Sequence, residues 1–125
     1  MKLSVFLFAL CLVGFNKPVN PTQEFCGIRN FAWHSGETIN YHVYYTLAGI
    51  YVYGGEADFT VQLQQLNNKP VYHLTGTGKT NSFFDGFFKV RDKYESYIDT
   101  ASLQPYKFVR NILEGDFKKF VSVTF

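Results

Sequence analysis

Cysteine is almost absent from these 125 residues, with only Cys11 and Cys26 present. No Cys-x-x-Cys or His-x-His spacing exists, so nothing local resembles a metal-binding loop. Charge of one sign is lacking too. Twelve basic residues face 10 acidic ones, a balance that gives no electrostatic case for nucleic acid. There is no G-x-S-x-G elbow, no internal repeat and no stretch that reads as a long helix. The apolar run Leu3–Val13 falls short of the roughly 20 residues a spanning helix needs.

That run has another reading. Met1 and Lys2 make a short positive start, and the apolar stretch has the length of a signal-peptide core. Pro18 and Pro21 then end any helix. Residues 1–20 are therefore expected to be an export signal, which points to the periplasm or cell envelope. Gly14, with Leu12 before it, is the nearest thing to a cleavage pattern. Cys11 lies inside the apolar run and lacks the small preceding residue of a lipidation signal; a lipid anchor and a retained anchor are the alternatives to cleavage. If cleavage falls before Lys17, Cys26 is the remaining thiol, either buried or half of a bridge to a segment not in this chain.

Residues 21–35 show neither alternation nor a helical stripe, and Phe25, Ile28, Phe31 and Trp33 suggest a segment that covers an apolar surface. From Gly36 the pattern changes. Ile39, Tyr41, Val43, Tyr45 and Leu47 alternate with Thr38, Asn40, His42, Tyr44 and Thr46, as in a half-buried antiparallel strand. Ala48-Gly49 turns the chain into a second strand. Its apolar positions are even at Ile50 and Val52 but odd from Ala57 to Leu63. A bulge at Gly54-Gly55 would restore a common face.

Asn67 to Pro70 reads as a turn and Val71 to Thr77 as a third strand. Asn81 to Lys89 fits either a short helix, with Phe83, Phe84, Phe87 and Phe88 on one face, or a tight aromatic loop. Val90 to Asp99 alternates again, with signs alternating through Arg91, Asp92, Lys93 and Glu95. After a connector, Tyr106–Leu113 and Phe117–Phe125 pair around Glu114-Gly115-Asp116. The fold expected over 36–125 is all-β, a curved antiparallel sheet or partial barrel with at most one short helix. The apolar last strand suggests an incomplete domain, or one that needs a partner strand at its C-terminal edge.

Chemistry-bearing motifs are few. Gly76 to Ser82 (GTGKTNS) ends like a phosphate-binding loop, but His73 stands where the first glycine belongs and no long helix follows; no nucleotide is expected. His34, His42 and His73 come from separate segments, with water as the default partner of the last two. Glu37 and Glu56 suit turn amides or a cross-strand cation. No catalytic residue, metal or cofactor emerges, and the chain reads as non-enzymatic.

Aromatic residues are the abundant class: 14 Phe, nine Tyr and one Trp. They can simply build a core. Alternatively they line a sheet face that holds a lipid or acyl chain, with Tyr41, Tyr45, Phe59, Phe84, Phe87, Phe88 and Tyr94 as candidate contacts.

The order of pieces resembles a known family. Gly36-Glu37 with Tyr41, Gly54-Gly55-Glu56-Ala57, Tyr72-His73-Leu74 with Thr75 to Thr80, Val90-Arg91-Asp92 with Tyr94-Glu95-Ser96, and Leu103-Gln104-Pro105 are similar to domain-of-unknown-function family 3108. The resemblance runs from about Phe31 to the end. It implies an exported β-rich protein, longer than this chain, with a curved sheet similar in outline to envelope proteins that shuttle lipoproteins. No catalytic residue is carried over.

Overall fold

A computed structural model describes residues 30–125. The expected export signal, Cys11 and Cys26 lie outside the described residues. Six strands follow one another: β1 (Thr38–Leu47), β2 (Ile50–Leu66), β3 (Lys69–Thr80), β4 (Arg91–Asp99), β5 (Pro105–Glu114) and β6 (Phe117–Thr124). They form one antiparallel sheet in the order β1-β2-β3-β4-β5-β6, so every strand pairs with its neighbours in sequence. β1 and β6 are its two edges, and the sheet stays open. One short helix, α1 (Ser82–Asp85), sits between β3 and β4.

The parity break in β2 is resolved as the sequence pattern requires. Pairing steps from Val43↔Gly55 to Tyr44↔Tyr53, leaving Gly54 as the extra residue. Tyr45 and Val52 thereby face the same way as Val43 and Ala57. Glycine is required at Gly55 by close approach of backbone, and at Gly54 an exposed ring lies equally near. A Cβ on Gly54 would stand 2.3 Å from the Tyr45 ring, and one on Gly55 would stand 2.2 Å from the Lys79 carbonyl oxygen. The strand passes through the bulge without a break.

Two expectations change at the next turn. Only Asn67 and Asn68 form it, both with positive φ (51° and 63°), the conformation of a two-residue hairpin turn that asparagine tolerates. Lys69 and Pro70 already belong to β3, paired with Leu66 and Gln65. At its other end β3 runs on through Gly76, Gly78 and Thr80, each in register with β2. The glycine-rich GTGKT stretch is therefore extended strand.

Cross-strand partners share a face, so the register sorts the side chains. One face carries Ile39, Tyr41, Val43, Phe59, Val61, Leu63, Leu74, Tyr94, Phe108 and Val123. The other carries cross-strand polar contacts: Asn40 Nδ2 donates to Asp58 Oδ1 at 2.7 Å, and Lys79 Nζ lies 2.8 Å from Glu56 Oε2. Burial on this single layer is sparse. Among the described residues, Val61, Val71, Val109 and Ile112 are the buried apolar ones, whereas Tyr41, Tyr45, Phe59 and Leu63 remain at least half exposed on the apolar face. A sheet normally buries such a face against a second layer; among the described residues only α1 and the segment before β1 approach it.

That segment is pinned to β2 by its backbone. Gly36 N donates to Val61 O at 2.8 Å and Val61 N to Glu37 O at 3.0 Å, while Leu63 N donates to Ser35 Oγ. Trp33 is thereby brought beside Tyr72, ring centroids 5.6 Å apart.

Candidate functional site

Where Trp33 overhangs the apolar face, it closes one side of a groove of about 350 Å³. Ile39, Phe59, Val61, Leu74 and Tyr94 make its walls, and Ala32 completes the overhang. Gly76 and Ser96 lie on the floor, where small residues leave depth between the larger side chains of neighbouring strands. The register explains the shape. Ile39, Phe59, Gly76 and Tyr94 form one row across β1 to β4, and Gly76 is the gap in it. Phe59 leans into that gap: a Cβ on Gly76 would meet its ring at 3.1 Å. Two residues along, Ala57 and Gly78 pair across β2 and β3, and a second hollow of about 160 Å³ opens there with Val43, Tyr45 and Val90.

The groove volume lies within the roughly 300–1,000 Å³ typical of small-molecule sites. Its lining is hydrocarbon, with Glu37 at the margin. Glu37 Oε2 accepts from His34 N at 3.1 Å, the turn-amide role its position suggests.

The seven aromatic candidates divide. Tyr41 and Phe59 meet edge to face, 5.8 Å apart, and Tyr94 stands across Gly76 from Phe59. These three belong to the groove region. Tyr45 packs against Phe84 at 5.4 Å, beside the second hollow. Phe87 turns away: it is 78% exposed and contacts Phe83. Phe88 instead approaches the β5–β6 turn, where a Cβ on Gly115 would lie 3.0 Å from its ring. The four phenylalanines do not share a face: α1 spans only Ser82–Asp85, Phe84 meets Tyr45 and Phe88 nears Gly115. Asn81 caps the single turn, its Oδ1 accepting from Phe84 N.

Sequence patterning missed Trp33, Ile39, Leu74, Gly76 and Ser96 as groove residues. Small residues placed between aromatic ones on a common face are the signal that could have found them, but only once the register is known.

Polar clusters lie elsewhere. On the opposite face His73 Nε2 is 3.0 Å from Glu95 Oε1, and its ring stacks on Tyr97 at 4.4 Å. The His73 side chain is only 12% exposed, so it is largely covered, contrary to the water contact expected of it. Burial alone would raise the Glu95 carboxyl, but hydrogen bonds from Lys93 and His73 hold it below its ordinary value. Glu56 is likewise lowered, first by Lys79 and then by the Tyr53 hydroxyl, which is raised in return. Among the described residues no group of three or more metal-ligating side chains converges.

At the end of β3, Arg91 binds both carboxylate oxygens of Asp85, and Thr80 Oγ1 donates to the same carboxylate. Arg91 and Thr80 hold the Asp85 carboxyl below its usual range. In the β4–β5 turn, Asp99 Oδ1 accepts from the amides of Ala101 and Ser102 and from the Ser102 hydroxyl. Its Oδ2 accepts from the Tyr106 hydroxyl at 2.7 Å. Together these bring Asp99 down to about 2. Both arrangements fasten loops to the sheet, and neither faces the groove.

No curated protein and no solved structure matches the chain. The family model described as protein of unknown function (DUF3108) matches residues 40–125, from within β1 to the end of β6. An open antiparallel meander, its bulge and its aromatic face are thus features of a chain that belongs to the DUF3108 family.

Proposed function

We propose that this protein is a non-enzymatic, exported binding protein of the cell envelope that holds an apolar ligand, such as an acyl chain, in the Trp33–Phe59–Tyr94 groove. The carrying observation is the groove itself: about 350 Å³, lined by Trp33, Ile39, Phe59, Val61, Leu74 and Tyr94. Burying hydrocarbon there removes apolar surface from water on both partners, worth roughly 25 cal/mol per Å². Export is supported by the positive start and short apolar core of residues 1–20. Native mass spectrometry after mild extraction should reveal a co-purifying lipid. A clean apo mass, together with unchanged Trp33 fluorescence when dodecanol is added, would refute the reading.

A second reading rests on a different observation. The exposed apolar face extends well past the groove, from Tyr41, Val43 and Tyr45 at one side to Val123 at the other. In this reading the sheet is a scaffold whose face or β6 edge receives another segment or a partner's strand, with no small ligand. It predicts self-association at micromolar concentration; a monodisperse, cooperatively melting chain would count against it.

A further inference from the structure

Arg110 is out of place on the apolar face. It stands opposite Tyr94 on β4 and opposite Val121 on β6, which extends the row Ile39, Phe59, Gly76, Tyr94 by one strand. Its Nε is buried without a hydrogen-bond partner among the described residues, and no ion pair among them involves it. A buried donor left unsatisfied is costly, and guanidinium carries five N–H donors in a fork that matches a carboxylate. The nearest acidic position in this register is Asp92, two residues along β4 from Tyr94. Its Oδ1 is turned to the β5 backbone, accepting from Leu113 N at 3.1 Å.

Resting on the groove reading above, we infer that the ligand is an anionic single-chain amphiphile, a long-chain carboxylate, whose head group is received by Arg110. The two features are spaced for one molecule. Gly76, on the groove floor, and Arg110 are two strands apart, roughly 10 Å at the usual strand spacing. A hydrocarbon chain seated in the groove beside Phe59, with its end carried past Tyr94, would bring its terminal carboxylate toward the guanidinium one strand beyond. Charge complementarity selects this occupant. An uncharged alcohol or alkane fills the same groove but offers no counter-charge to the Arg110 guanidinium, and a cationic amphiphile is repelled.

The test uses the full chain and its single tryptophan, Trp33, which lines the groove and reports binding by its emission. Dodecanoate and dodecanol are titrated at about pH 8, where the carboxylate is ionised, against the wild type, Arg110→Met and Arg110→Lys. The expected result is dodecanoate binding at least about tenfold tighter than dodecanol, the scale of a charge-assisted hydrogen bond. Arg110→Met should abolish that preference by weakening the acid alone, and Arg110→Lys should retain part of it. If acid and alcohol bind the wild type equally, the role of Arg110 is overturned while the groove reading stands. Binding of neither probe overturns both. Should Arg110→Met fail to fold, the wild-type ratio and the lysine variant decide the matter alone.

Discussion

Phe59 lays its ring over Gly76, its cross-strand partner in the β2–β3 pairing. The approach is close enough that a methyl on Gly76 would stand 3.1 Å from the ring edge. The groove depends on this absence of a side chain. Phe59 is 50% exposed and can swing outward, so Gly76→Leu should be accommodated at a cost of no more than about 1–2 kcal/mol. The leucine then occupies the floor. Titration followed by Trp33 emission should show dodecanol and dodecanoate binding lost, while the circular dichroism of the sheet is preserved.

Gly55 and Gly78 give opposite outcomes for the same substitution. An alanine at Gly55 drives its Cβ to 2.2 Å from the Lys79 carbonyl oxygen, and backbone cannot step aside without breaking the β2–β3 ladder. Gly55→Ala should cost about 2–3 kcal/mol or more. At Gly78 nothing lies within 4 Å of a built Cβ. Gly78→Ala should be neutral or stabilising by about 0.5–1 kcal/mol, because alanine has less backbone entropy to lose. Urea denaturation of both variants measures the contrast.

The Asp99 turn predicts an acid transition. Its carboxyl is depressed from 3.8 to about 2, so the native state favours the ionised form. The resulting stabilisation is full above the unfolded value near 3.8 and is lost as pH falls from there toward about 2. Asp99→Ala should lower stability by about 1–3 kcal/mol at neutral pH. The gap in Tm between wild type and variant should be constant above about pH 5 and close on further acidification.

Arg91 grips Asp85 through two nitrogens and thereby ties α1 to the start of β4. Lysine cannot reproduce a two-pronged contact. Since Arg91 is 38% exposed, Arg91→Lys should lower global stability only slightly. Amide exchange around Phe83–Phe87 should accelerate more than exchange in β3, which would show that the loss is local.

The parity switch in β2 was readable because side chains alternate strictly along a strand, so one extra residue leaves a visible scar at Gly54-Gly55. Glu56 was readable too, since a carboxylate after a bulge needs a partner and Lys79 sits directly opposite. The groove was not. Its walls come from four strands and its overhang from an irregular segment, and alternation says nothing about which residues lie side by side. The aromatic stretch after Asn81 misled for a different reason. Four phenylalanines at helical spacing suggest a common stripe, but α1 spans only Ser82–Asp85, and Phe84 and Phe88 meet separate neighbours.

The unbroken order β1-β2-β3-β4-β5-β6 has a kinetic consequence. Each new strand needs only the closure of a short connection onto the strand just made, so loop-closure entropy stays small throughout. Every strand pairing joins chain neighbours, which favours faster folding than a sheet of the same size with crossovers. Assembly can also proceed in the order of synthesis, hairpin upon hairpin, with no strand waiting for a distant partner.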